Sequence, residues 1–236
     1  MIRRLFVLVL LIIIGYFLGT AMASIPFGAE KVDVGPYRSV GNYYVDNTVQ
    51  ETGGVNAVTS IVVLYRGFDT LGEVTVLFLA ATGLAAILAL TRERRKLKKE
   101  KPSLIMRVGT DYLFPAAIVL GSYVFLHGHL TPGGGFPGGV IIASGFLMLF
   151  LAQWRYKVDE LGLKIIESLA GMTYVTIGLI GLFKLGTFLG NFLGKGTPGA
   201  LLSAGIIPVI YIVIGIKVGS EMTGLLQNLR ETTENE

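Results

Sequence analysis

Both histidines of the chain lie two apart in HGHLTPGGGFPGG, residues 127–139, beside six glycines and two prolines. Imidazoles titrate near neutral pH, and glycines let a backbone turn sharply and expose its carbonyls. The combination suits an ion or proton entrance, and it equally suits a loop that caps two helices. A metal site on His127 and His129 lacks further ligands nearby. Gly133, Gly135 and Gly138 formally fit G-x-G-x-x-G, but a dinucleotide site needs a preceding strand, and an apolar helical stretch precedes this one. No Lys-Ser/Thr pair follows, so there is no P-loop.

The second constellation is YRGFDTLGEVTVLFLAATG, residues 65–83. Thr70-Leu71-Gly72-Glu73 reads as a capping box, with Glu73 reaching back to the helix start. A carboxylate one turn into an apolar span is also a functional candidate by default, and Arg66 and Asp69 stand near enough to hold its charge or pass a proton. Further along, Lys164 and Glu167 are three apart and suited to pair on one helix face. Glu167 and Lys184 add titratable groups at other depths, as a relay across a membrane requires. Lys217 and Glu221 fall near the end of the last span, where snorkelling is the ordinary outcome.

Long apolar helices must position these groups. Of the 236 residues, 52% are hydrophobic and 15% charged, with a mean hydropathy of +0.66. Spans of about 20 apolar residues are expected at 4–24, 70–91, 107–127, 138–154, 161–184 and 201–224. The first also has the parts of a secretory signal, with Arg3 and Arg4 before an apolar centre and Ala21-Met22-Ala23 after it. We read it as a retained membrane helix. VNAVTSIVVLYRGF, from residue 55, is apolar but too short to span, and a short interfacial or re-entrant helix fits it. The fold class is therefore all-α and polytopic, with about six transmembrane helices and one short interfacial or re-entrant helix.

Charge sets the orientation. Residues 92–101 carry seven positive and two negative charges, against two positive and four negative over 25–54. The positive-inside rule places the basic loop in the cytoplasm. Arg155 and Lys157 suit the inside, the nearly uncharged 185–200 suits the outside, and both termini are then cytoplasmic. Trp154 next to Arg155 fits an interfacial anchor. The expected organisation is a two-helix piece at 1–91, a basic linker at 92–102, a four-helix piece at 103–228 and a polar tail at 229–236. Small residues along the spans suit close helix packing, and so few spans suit a component of something larger.

The chain contains no cysteine, which excludes disulfides and thiolate-held iron–sulfur clusters within it. Its basic run sits in a membrane loop and gives no reason to expect nucleic acid. No nucleophile–base pair is evident, which argues against an intramembrane hydrolase.

HGHLTPGGGFPGGVIIASGFLM resembles the MnhB family, one of the membrane subunits of Mrp-type multisubunit sodium/proton antiporters, over about residues 103 to 225. VNAVTSIVVLYRGFDTLGEVTVLFLAATGLAAIL is similar to the C-terminal part of the large subunit of the same antiporters, over about 52 to 90. In the standard antiporter these pieces belong to separate chains. Their fusion, detached from the rest of the large subunit, resembles archaeal membrane-bound respiratory complexes of hydrogenase or sulfur-reductase type. The resemblance implies that electron transfer elsewhere is coupled to sodium or proton movement here. It implies that Glu73, His127, His129, Pro132 and Phe136 match positions important for ion passage. It also implies other Mrp-like subunits and redox subunits as partners in the lipid bilayer of the cell membrane. Iron–sulfur or nickel–iron centres would lie only in those partners, with no cofactor in this chain. The rival readings are a chain that merely tethers the module and a component of a stand-alone antiporter.

Overall fold

A computed structural model describes residues 2–23, 40–90, 102–153 and 156–234. The basic run 92–101, most of the polar stretch after the first span, and the Trp154-Arg155 anchor lie outside the described residues. The chain divides by its contacts into Met1–Tyr43 and Tyr44–Glu236. The regular elements among the described residues are all helices, with no strand.

In the first unit, α1 (Ile2–Ala23) contains a shorter apolar stretch, Val9–Thr20. Its large side chains from Leu10 to Leu18 are exposed, as on a helix made for an apolar surround.

The remaining elements are α2 (Val40–Thr52), α3 (Ala57–Ser60) continued by a π turn at Ile61–Tyr65, α4 (Gly67–Leu90), α5 (Leu104–Leu126), α6 (Gly135–Ala152), α7 (Glu160–Leu185) and α8 (Ile207–Glu234). Five of them, α4 to α8, are long and apolar enough to cross a membrane. Of these α8 is the most buried and α4 the least. Helix α8 is the hub of the second unit, packing against α4, α5, α6 and α7. Its Ile207, Ile210, Tyr211, Ile214 and Val218 form the core with Tyr174 of α7 and Val63 of the π turn.

Glycine pairs explain how α6 sits so close to both neighbours. A Cβ on Gly138 would lie 2.7 Å from the Gly121 carbonyl oxygen of α5. One on Gly139 would lie 2.7 Å from the Gly215 carbonyl oxygen and 2.9 Å from the Gly219 nitrogen of α8. Backbone meets backbone on both sides, so neither position has room for a methyl group. Gly139→Ala should therefore lower stability by about 1–3 kcal/mol, the usual cost of overpacking. Gly83→Ala in α4, where an added Cβ meets nothing within 4 Å, should leave it nearly unchanged. Thermal unfolding of the two variants side by side checks this.

The sixth expected span begins later than its hydropathy suggests. Residues 201–206 are turns, and Ala204 and Gly205 have φ of 65° and 61°, a left-handed conformation that no α-helix continues through. Asn191 locks the bend: its Oδ1 accepts from the Ile206 nitrogen at 3.1 Å. Helix α8 then runs on to Glu234, ten residues beyond the expected end. The short segment at 55–68 is a broken helix, as its length suggests. It is held inside the second unit, with Thr59, Ser60 and Val63 fully buried.

Candidate functional site

The glycine-rich segment is bent, as its prolines and glycines require. Helix α5 stops at Leu126 with His127 as its C-cap, and α6 restarts at Gly135. Between them Gly133 and Gly134 take φ of 156° and 150°, values that side chains rarely allow. Three of the carbonyls in this turn are tied to the α3 segment. The Gly128 oxygen accepts from Asn56 Nδ2 at 2.9 Å and from Thr59 Oγ1 at 2.6 Å. The His129 oxygen accepts from the backbone nitrogens of Val55 and Asn56 at 3.2 and 3.1 Å. The Thr131 oxygen accepts from Asn56 Nδ2 at 2.9 Å. Asn56 Oδ1 meanwhile caps α3 by accepting from the Val58 and Thr59 nitrogens. One asparagine thus ties the α3 turn to the histidine loop.

The two histidines take different partners. The half-buried His127 stacks on Tyr123 with ring centroids 4.1 Å apart. His129 is fully buried; its Nε2 lies 3.4 Å from the Ala200 carbonyl oxygen, and its Nδ1 has no partner among the described residues. Burial holds the His129 imidazole below its ordinary value of 6.5. Because the folded value is the lower one, the unfolded chain binds the proton first on acidification. The contribution is then complete above 6.5 and is lost as pH falls through the window beneath it. Thermal stability should drop as pH falls below about 6.5, and His129→Gln should flatten that part of the profile. Pro132 is exposed, and Phe136 is half-buried against the core.

The Thr70–Glu73 capping box does not form. Helix α4 starts at Gly67, straight after a break at Arg66 (φ −126°, ψ 38°), so Thr70 is already inside it. The Thr70 hydroxyl donates to the Val62 carbonyl oxygen instead, at 2.5 Å. Arg66 pairs with Asp69 at 2.5 Å and not with Glu73. Glu73 is exposed and has no hydrogen bond or ion pair among the described residues. Its charge is felt by the buried Tyr174, whose hydroxyl donates to the Gly67 carbonyl oxygen at 3.0 Å.

The charges of the last two spans also pair differently from their sequence spacing. Lys164 faces outward and meets Glu160, one turn before it, at 3.9 Å. Glu167 turns to α8, where its Oε1 lies 3.7 Å from Lys217 Nζ. The same ammonium donates to Glu221 Oε2 at 3.0 Å and lies 5.4 Å from the Phe78 ring centre of α4. Lys217 and Glu221 are only 8% and 4% exposed, so neither snorkels. The later start of α8 is the reason: Lys217 stands ten residues, or about 15 Å, from Ile207, near the middle of the span. Lys184 lies apart from this group, exposed, with its ammonium 5.4 Å from the Phe192 ring centre. A groove of about 450 Å³ between α4, α7 and α8 is lined by Glu167 and Glu221, with Ser168 and Ser220 beside them. Hydropathy hides this buried triad; the four-residue step from Lys217 to Glu221, which stacks them on one helix face, is its one visible mark. No group of three His, Asp or Glu side chains among the described residues is placed to hold a metal ion.

Five full-length apolar helices among the described residues, with a buried charge cluster between them, define a polytopic membrane subunit. Residues 105–224 match the family described as a domain related to the MnhB subunit of the Na+/H+ antiporter, and the chain belongs to that family. Residues 2–101 match a second family, MbhE, described as the E subunit of MBH. Among solved structures, a chain of the membrane-bound sulfane sulfur reductase, an archaeal respiratory membrane complex, is 46% identical. The match covers 97% of this chain and 98% of that one with a TM-score of 0.76. A chain of the Mrp complex from Dietzia sp. DQ12-45-1b is 25% identical, with a TM-score of 0.71, over 96% of this chain and 26% of that one. The probable K(+)/H(+) antiporter A/B subunit of Rhizobium meliloti is 30% identical over 150 residues, 52% of this chain and 15% of that protein. The chain thus spans a small part of these antiporter relatives and nearly the whole of the reductase chain.

Proposed function

We propose that this chain is a non-catalytic, ion-translocating subunit of an Mrp-like module within a redox-driven membrane complex of the sulfane sulfur reductase type. One observation carries the choice of complex: the end-to-end match to the reductase chain, which shares the joined arrangement of both pieces. Sodium ions or protons are the cargo, and Glu73, the histidine loop and the Glu167 cluster are the groups placed to act on them. The partners are other Mrp-like subunits together with redox subunits that hold any iron–sulfur or nickel–iron centres. Co-purification from native membranes tests this. Recovery of Mrp-like subunits alone, with no redox subunit, would make the chain part of a stand-alone antiporter.

The proposed topology is multi-pass in the cell membrane, with α1 as a sixth span and both termini cytoplasmic. Single cysteines at Asn47 and Lys98 should label from opposite faces of right-side-out vesicles. Labelling of both from one face would reverse part of the arrangement.

A further inference from the structure

Glu167, Lys217 and Glu221 together carry one net negative charge inside the helix bundle. One Glu221 oxygen takes the Lys217 ammonium, while the other, Oε1, is buried without a partner among the described residues. Glu221 also lines the groove, so the buried oxygen belongs to a residue at the wall of an open space in the protein. From α4 the groove receives only Phe78, Ala81, Thr82 and Ala85, which supply no second cation. On α7, Lys164 is engaged with Glu160 at the end of the groove nearer the start of that helix. A buried charge without its complement is costly, so a mobile cation must complete the balance.

We propose that Glu221 is a proton-loading carboxyl served by this groove, with Lys217 as its fixed counter-ion. The inference rests on the ion-translocating role proposed above. The chemistry is a single proton transfer: an O–H bond of hydronium entering by the groove breaks, a new O–H bond forms at Glu221 Oε1, water is left behind, and nothing is oxidised or reduced. Lys217 then balances the remaining carboxylate, Glu167, from 3.7 Å. A proton suits the place better than a sodium ion because it needs one acceptor, whereas a hard metal cation asks for several oxygens. The neighbouring Ser220 hydroxyl already donates to the Ile216 and Lys217 carbonyl oxygens, so Glu221 Oε1 is the acceptor left open.

Dicyclohexylcarbodiimide reacts with protonated carboxyls in apolar surroundings and tests the assignment in the intact complex in liposomes. Peptide mass spectrometry should find Glu221 modified at acidic pH, with the yield falling about tenfold per pH unit above its midpoint and indifferent to sodium. Protection by sodium would overturn the proposal in favour of a metal cation. For a reagent that fails to enter, infrared difference spectra between acid and alkaline pH give a second reading. Glu221→Gln should remove a protonated-carboxyl C=O band, and an unchanged band would overturn the proposal. Sodium/proton exchange is followed in the same vesicles. Normal exchange beside a failed Glu221 result removes only this inference, whereas an intact complex that moves no ion removes the transport role itself.

Discussion

Glu73→Gln should abolish sodium/proton exchange by the intact complex while leaving its subunit content unchanged. Glutamine keeps the shape and hydrogen-bonding reach of glutamate but carries no charge and does not titrate. A helix-capping role would make the change nearly harmless, yet α4 begins at Gly67 and the Thr70 hydroxyl is bonded to Val62. What is left is a carboxylate on the exposed face of the least buried span, close to Tyr174. Intramembrane carboxylates face a bundle interior or a hydrated cavity, so this one calls for a neighbouring protein or a water path. Exchange is measured with a pH-sensitive dye in vesicles holding the complex, and subunits are counted on the same sample. Normal exchange by the variant would take Glu73 out of the ion path.

Lys217→Met should be the most damaging single change to stability. It leaves Glu167 and Glu221 facing each other without a cation, 18% and 2% exposed at their side chains. Breaking a buried pair by removing one partner costs about 3–5 kcal/mol. The change should sharply reduce assembled complex and its melting temperature. Adding Glu221→Gln to the methionine variant should recover much of the loss, since the buried charge disappears with it. Full stability in the single variant would show that the two carboxylates do not need the lysine.

Helices and their ends are readable from the chain wherever the signal is local. The apolar runs mark α4 to α7 to within a few residues, because hydrocarbon thickness fixes their length. Pro132 and the three glycines after it mark the break between α5 and α6, since both are local backbone effects. The start of α8 is hidden, because Leu201 and Leu202 continue the hydrophobic pattern through a turn that Asn191 and the Lys195 carbonyl, both outside the turn itself, help to hold in place. The same error displaces Lys217 from the middle of its span to near the end and turns a buried triad into a pair of ordinary surface charges. Glu167 illustrates the wider limit. Spacing ranks Lys164 as its partner, but which face of α7 meets α8 is decided by packing, and packing brings Lys217 instead.

The bonds from Asn56 to the histidine loop have a consequence for how this protein comes to be assembled. They join the segment before α4 to the turn between α5 and α6, more than 70 residues apart in the chain. Here the docking is intramolecular, so no translational freedom is lost when the α3 turn meets residues 128–131. Linking two docking segments in one chain replaces free concentration with an effective concentration set by the reach of the intervening chain. A handful of hydrogen bonds can then hold a junction that two free chains would have to secure with a larger interface. Covalent fusion replaces affinity with proximity and fixes a one-to-one ratio of the two pieces at translation.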